Sequence, residues 1–231
     1  MHGKSLDDIT KMTDAELEEL NARTLFVVNG SPGSWLDHAD ELRDAAEVLW
    51  NDRSNGLRVE AAPVVEIEEV REGNLISEVP KVRSQVSKFY AVSRPYLLLA
   101  GFAIENLAKG ILIAENPTLI SDGSLRPEIK THNLTRLLGK IGSVEASEAE
   151  RKFCSVASSA LPYWGRYPIP LHHGGVMPEV GMDDAMRKAY LSLHDRLGLD
   201  LYNRIKDGWD SGIGARTLSL HSKRYESMTP S

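Results

Sequence analysis

The side chains best suited to acid–base and phosphate chemistry lie close together in one short segment. Arg166, His172 and His173 belong to the stretch RYPIPLHHGGVMPEVG at residues 166–181. An imidazole titrates near neutral pH and can act as a general acid or base. A guanidinium stays charged and offers a planar set of donors to phosphate oxygens. Because the stretch holds three prolines and three glycines, it is predicted to be irregular.

A second group of ionisable residues interrupts the most apolar part of the chain. Glu105 and Lys109 stand four residues apart, acid first, in the stretch YLLLAGFAIENLAKGILIA at residues 96–114, an arrangement that favours an ion pair on a helix. A membrane span needs about 20 mostly uncharged residues, so charges near the middle favour a helix buried in a bundle. There Glu105 would need a partner, because an isolated buried carboxylate is costly. His132 follows Thr131 at a helix start, where we expect a capping or turn role.

Apolar residues at helical spacing predict the elements that must position these groups. Capping boxes indicate helix starts at Thr13 and Ser147. Three further starts are indicated by Ser34, by Thr131 and, for the last long helix, by about Asp183. Helix ends are indicated near residue 50, at Gly142, at Pro162 and after Ile205.

Two regions lack this periodicity. Residues 55–80 contain Gly56, Pro63, Gly73 and Pro80 around an alternating run, which predicts a loop or hairpin insertion. Residues 207–231 are predicted to form a loosely ordered, irregular tail. We therefore expect an all-α fold without a convincing sheet: an N-terminal arm with a short helix at 1–33, a helical domain at 34–206, and the tail.

Composition excludes several classes of protein. The formal charge of −6 argues against coating duplex DNA, although a small phosphate site remains compatible with it. Cys154 is the one cysteine, so no internal disulfide can form, and on an apolar helical face it is expected to pack in the core. No signal peptide, zinc-ligand spacing or glycine-rich nucleotide loop is visible. A cytoplasmic protein without cofactor, metal or membrane contact is expected.

The order of these features resembles the HEPN family of small helical bundles. The similarity comprises the helix at 35–50, AIENLAKG at 103–110, HNLTRLL at 132–138 and YWGRYP at 163–168, and it extends over residues 34–206. The resemblance implies an up-and-down bundle, often homodimeric, which in many members cleaves RNA without a metal. Many relatives belong to toxin–antitoxin or defence systems, which implies a possible protein partner.

One hypothesis from this resemblance is a metal-independent endoribonuclease. Catalytic members carry an Arg and a His separated by four to six residues. In this chain five residues lie between Arg166 and His172, and six lie between Arg166 and His173. Arg166 would then bind the scissile phosphate, and one histidine would act as general acid or base. A second copy across a twofold axis would supply the other proton-transfer group.

The other hypothesis is a nucleotide- or RNA-binding or scaffold module without catalysis. Tyr167 occupies a place where active members carry a small polar residue, and Pro168 and Pro170 prevent a helix from joining Arg166 to the histidines. Arg166, beside Trp164 and Tyr167, would instead turn inward to pair with Glu105. The sequence favours this second hypothesis and leaves open whether the protein is an enzyme.

Overall fold

The computed structural model describes residues 12–52, 56–72, 75–90, 92–120, 122–162, 181–212 and 216–228. Most of these residues are helical, which confirms the mainly α class. Two small antiparallel sheets accompany the helices, so the expectation of no convincing sheet was wrong.

In chain order, the elements are α1 (Asp14–Asn29), α2 (Pro32–Asn51), β1 (Leu57–Glu72), β2 (Leu75–Tyr90), α3 (Ser93–Glu115), a 3-10 turn (Pro117–Leu119), α4 (Leu134–Leu138), α5 (Glu148–Ala160), α6 (Asp184–Ile205), β3 (Trp209–Asp210), β4 (Arg216–Thr217) and α7 (Lys223–Glu226).

Three of the predicted helix starts are confirmed by their caps. The capping boxes at Thr13 and Ser147 are both complete, with the N3 glutamate reaching back to the cap backbone. Asp183 Oδ1 accepts a hydrogen bond from the Met186 amide at 2.7 Å. These contacts satisfy amides that the first helical turn leaves without intrahelical partners. Helix α5 ends at Ala160, two residues before Pro162, as expected from that proline.

Three of the predicted helix boundaries were wrong by a few residues. Helix α2 begins at Pro32 with Ser31 as its N-cap, because proline is well tolerated in the first turn. Helix α4 is capped by Asn133, whose Oδ1 accepts from the Arg136 amide at 2.8 Å, so Thr131 is not the cap. The same helix ends at Leu138, with Gly139 as its C-cap instead of Gly142.

Helix α3 is the centre of the bundle, as its apolar composition predicts. Its side chains are buried on nearly all sides, and it packs against α2, α4, α5 and α6. Gly110 permits a close approach, since a Cβ there would lie 2.7 Å from Leu201 Cδ2 of α6 and 3.1 Å from Trp35 Cβ of α2. The core therefore forms around one helix held tightly between its neighbours.

The predicted insertion is a long antiparallel hairpin. Strands β1 and β2 pair one to one from Leu57 opposite Tyr90 to Glu72 opposite Leu75. The hairpin extends ten residues beyond the expected boundary at residue 80. Pro63 and Pro80 do not interrupt it, because both strands of a two-stranded sheet are edge strands, where proline is tolerated.

The described part of the C-terminal tail is docked on the bundle, so the expectation of a loosely ordered tail was wrong there. Tyr225 of α7 is fully buried and lies against Gly198 of α6. Arg224 bridges to α2, with Nη1 2.6 Å from Asp40 Oδ1 and Nη2 2.8 Å from Asp44 Oδ1. One aromatic side chain and one arginine hold the tail. Two such contacts produce no helical periodicity, so the sequence does not reveal them.

Candidate functional site

The residues of the expected Arg–His motif lie outside the described part of the chain. Arg166, Tyr167, His172 and His173 all fall within residues 163–180. Their mutual geometry, and the proposed pairing of Arg166 with Glu105, therefore stay predictions.

The described residues on either side of this segment both contact α3. Leu161 packs on Gly101: a Cβ added at Gly101 would lie 3.1 Å from Leu161 Cδ2. The Met182 amide donates to Ser93 Oγ at 3.1 Å. Gly101 is four residues, about one helical turn, before Glu105. The chain thus leaves and rejoins the described structure beside the helix that carries Glu105.

Glu105 has a partner on each carboxylate oxygen. Lys109 Nζ donates to Oε1 at 2.7 Å, which confirms the expected pair four residues apart. His132 Nδ1 lies 2.9 Å from Oε2. Both Glu105 and Lys109 are buried, so two donors compensate the carboxylate in the core. Charge balance at Glu105 therefore does not require Arg166.

His132 is positioned by this buried carboxylate, which was not its expected role. A carboxylate oxygen accepts, so Nδ1 carries the proton and Nε2 lies on the opposite side of the ring. The side chain is 51% exposed, and the Phe102 ring meets it edge-on with centroids 6.2 Å apart. An imidazole held in this way can donate to, accept from or exchange a proton with a bound molecule.

The chain around His132 is locally basic. Residues 130–140, which we call the His132 segment, read KTHNLTRLLGK and contain no acid. Its cations Lys130, Arg136 and Lys140 are exposed. Within the described residues, no side-chain ion pair engages these three. In a chain of formal charge −6, this segment is a local positive surface.

Other arginines of the bundle are committed to carboxylates. Arg187 of α6 forms a two-pronged contact with Glu47 of α2, which also accepts from Tyr96 Oη at 2.7 Å. Burial alone would raise the pKa of Glu47, but the hydrogen bonds from Arg187 and Tyr96 hold it below its usual value. Arg204 likewise bridges Glu115 and Asp200. These groups join helices and leave little capacity for a ligand.

A closed polar cluster joins α2, α6 and α7. His194 is fully buried, with Nε2 3.8 Å from Asp40 Oδ1 and Nδ1 3.8 Å from Asp195 Oδ1. Asp40 Oδ1 also accepts from Tyr225 Oη at 2.8 Å. Burial raises the pKa of Tyr225 above its usual value, with the Asp40 charge adding to the effect. Through these contacts the cluster joins the C-terminal tail to α2 and α6.

His194 carries no local motif that would mark it as a candidate residue. Its signal was positional, because it follows Tyr190 by four residues and Leu193 by one, on the buried stripe of α6. The Glu105–His132 contact was also missed, because its members are 27 residues apart and belong to different elements.

A cavity of about 480 Å³ lies beside the loop between α4 and α5. Its lining is mainly small and apolar, and Arg151 and Glu145 are its charged members. Cys154 also lines it, but burial raises the pKa of this thiol to about 12. Cys154 is buried among core residues, in agreement with the expected packing role.

Among the described residues, no group of three or more His, Cys, Asp or Glu side chains could hold a metal ion. Helix α3 is long and apolar enough to cross a membrane by length and composition alone, but 72% of its most apolar window is buried inside the bundle.

No protein-family model, curated protein or solved structure matches the chain. The class of the protein therefore follows from its own architecture, a mainly helical bundle with a long hairpin between its second and third helices.

Proposed function

We propose that this chain is a HEPN-like RNA- or nucleotide-binding module and that the His132 segment contacts the phosphates. The observation that carries the proposal is the half-exposed His132 ring, held by buried Glu105 within an acid-free run of three exposed cations. Phosphate contacts supply most of the affinity of proteins for single strands that are bound without sequence preference.

Binding without catalysis is favoured by the way the bundle uses its charged groups. Arg187, Arg204 and Arg224 pair with carboxylates of neighbouring helices. The His132 segment offers donors for phosphate oxygens and one imidazole, whereas RNA cleavage needs two proton-transfer groups. A surface of this kind binds an anionic chain, or holds it for a partner as a scaffold would.

Salt dependence tests the proposal quantitatively. The variant Lys130→Ala/Arg136→Ala/Lys140→Ala removes three cations, and each phosphate contact to a single strand contributes about 0.7 to the slope of log K against log salt. We expect the slope to fall by about 2 and the affinity for single-stranded RNA to fall at least about tenfold at low salt. Fluorescence anisotropy with labelled RNA measures both.

The control is Lys152→Ala/Lys188→Ala/Lys223→Ala, which removes the same charge at exposed positions elsewhere on the chain. His132→Gln tests the imidazole, and we expect weaker binding with unchanged folding. Equal losses in the two triple variants would show that net charge alone governs binding and would refute a site at the His132 segment.

The second candidate is the metal-independent endoribonuclease with Arg166 and His172 or His173. It is favoured by the anchoring of Leu161 and Met182 on α3, which brings both ends of that segment to the helix bearing Glu105. In the reaction, the ribose 2′-oxygen loses its proton and attacks phosphorus, and the 5′-oxygen leaves with a proton.

The products distinguish the two candidates. RNA incubated with the protein and a chelator would yield 2′,3′-cyclic phosphate ends if the second candidate is correct. Cleavage that persists in both Arg166→Ala and the double variant His172→Ala/His173→Ala would eliminate this motif as the catalytic group. The resemblance further proposes a cytoplasmic homodimer of toxin or defence type.

A further inference from the structure

The cavity beside the loop between α4 and α5 is enclosed by one side of each helix. Thr135, Leu138 and Gly139 line it from α4 and its C-cap, and Arg151 and Cys154 line it from α5. Leu138 and Gly139 follow Thr135 by three and four residues, and Cys154 follows Arg151 by three. Residues so spaced share one side of a helix. The volume of about 480 Å³ lies in the range of sites that hold small molecules.

The floor of this cavity is apolar. Leu138, Ile141 and Cys154 are buried there, and Val144 and Ala146 are half-buried beside them. Apolar surface on a ligand would leave water when it covers this floor, which favours binding. The floor therefore suits a ligand with an apolar body.

The rim of the cavity is held in place by side-chain contacts to the backbone. Arg151 Nη1 donates to the Ala146 carbonyl oxygen at 2.5 Å. Arg196 of α6 donates through Nη1 to the Glu145 carbonyl oxygen at 2.9 Å. Because these bonds fix two consecutive carbonyl groups, the rim is ordered before a ligand arrives, and the entropy cost of binding is lower.

Two opposite charges line the cavity without pairing with each other. Arg151 and Glu145 are both exposed, and among the described residues neither side chain takes part in an ion pair. The contact to Ala146 uses Nη1 of Arg151, so the guanidinium keeps further donors. A ligand with one carboxylate and one ammonium group would satisfy both charges through charge-assisted hydrogen bonds.

A ligand with a single charge fits this rim less well. A carboxylate without an ammonium group would meet Arg151 but would lie near the acid of Glu145. An ammonium group without a carboxylate would meet Glu145 but would lie near the cation of Arg151. Like charges brought together weaken binding, so the rim favours the ligand that carries both.

We propose that this cavity binds a small zwitterion with an apolar side chain, namely a free apolar α-amino acid. The carboxylate contacts Arg151, the ammonium group contacts Glu145, and the apolar side chain covers Leu138, Ile141 and Cys154. The proposal does not rest on RNA binding.

Four probes separate the three contacts. L-Phenylalanine has all three groups, 3-phenylpropanoate lacks the ammonium group, 2-phenylethylamine lacks the carboxylate, and free glycine lacks the apolar side chain. Calorimetric titration of the full chain measures each dissociation constant. We expect L-phenylalanine to bind at about 1 mM or tighter. Each of the other three should bind at least about tenfold more weakly, because each loses one contact.

Charge variants test which residue meets which group. In Glu145→Gln, L-phenylalanine should lose its advantage over 3-phenylpropanoate. In Arg151→Gln, it should lose its advantage over 2-phenylethylamine. A purely structural effect would weaken the binding of all probes alike, and melting curves show whether each variant is folded.

A filled cavity provides the last test. Gly142 lines the cavity, and a Cβ added there would meet nothing within 4 Å, so Gly142→Phe can add a ring without a clash. The matched control is Gly33→Phe, since Gly33 is equally open and lies at the start of α2. We expect binding to be lost in Gly142→Phe and kept in Gly33→Phe. No binding of L-phenylalanine at millimolar concentration, equal affinity for all four probes, or binding unchanged in both charge variants would each overturn the proposal.

Discussion

Gly198 is the position where one added methyl group should release the C-terminal tail. A Cβ at Gly198 would lie 2.6 Å from both Cε1 and Cζ of Tyr225 and closer still to its Oη, distances that non-bonded carbon–carbon and carbon–oxygen pairs do not tolerate. In Gly198→Ala, the tyrosine must therefore move away from α6. Its hydrogen bond to Asp40 and the adjacent Arg224 contacts move with it.

Two opposing effects determine the change in stability. Burying a large aromatic side chain stabilises by about 1.5 to 3 kcal/mol, and the Asp40 hydrogen bond to a charged acceptor contributes about 1.5 to 3 kcal/mol more. Alanine in a helix interior is more favourable than glycine by about 1 kcal/mol. Since an undocked tail regains conformational entropy, we expect a net loss of about 1 to 3 kcal/mol.

Thermal unfolding measures this loss. For a chain of this size, about 1 kcal/mol corresponds to about 2 to 4 °C in Tm, so Gly198→Ala should melt about 3 to 10 °C lower than wild type. Limited proteolysis should also cut the variant sooner near residues 216–228, because the undocked tail is accessible.

A double-mutant cycle with Tyr225→Ala provides the decisive control. Without the tyrosine ring there is no clash, and Gly198→Ala should then stabilise the protein by up to about 1 kcal/mol through helix propensity alone. The sign of the glycine substitution should therefore reverse between the two backgrounds. Stabilisation by Gly198→Ala in both backgrounds would refute the close packing of Tyr225 on α6.

Three further outcomes are expected. Glu105→Gln should destabilise the fold by about 3 to 5 kcal/mol, because it leaves the Lys109 cation buried without a charged partner; Glu105→Gln/Lys109→Met should recover part of the loss in a melting experiment. The lowered pKa of Glu47 means that its contribution to stability is complete above the ordinary pKa of 4.5 and is lost as the pH falls through the lower pKa of the folded state. Glu47→Gln should therefore show a flatter dependence of Tm on pH in the acid range. An unchanged dependence would contradict this reasoning. The raised pKa of Cys154, about 12, predicts no reaction with thiol reagents in the native protein and full reaction after unfolding, so rapid native labelling would disprove its burial.

Most of the helical framework was predictable because its signals are local. Capping residues such as Thr13, Ser147 and Asp183 act within one turn, and the apolar run of α3 requires burial wherever the helix lies. The pair of Glu105 with Lys109 is equally local, since four residues bring two side chains to one helix face. Such features depend on neighbours in the sequence and need no knowledge of the fold.

Other features arise from contacts between residues far apart in the chain. Whether Pro80 ends a strand or lies within one depends on the partner strand, and His132 reaches Glu105 only because α3 passes beside the start of α4. The docking of Tyr225 needs an open position on α6, provided by Gly198. Residue type and spacing determined which elements form, whereas long-range packing decided which side chains meet. The free energy of those contacts depends on the surface of another element, and the local sequence pattern carries no information about that surface.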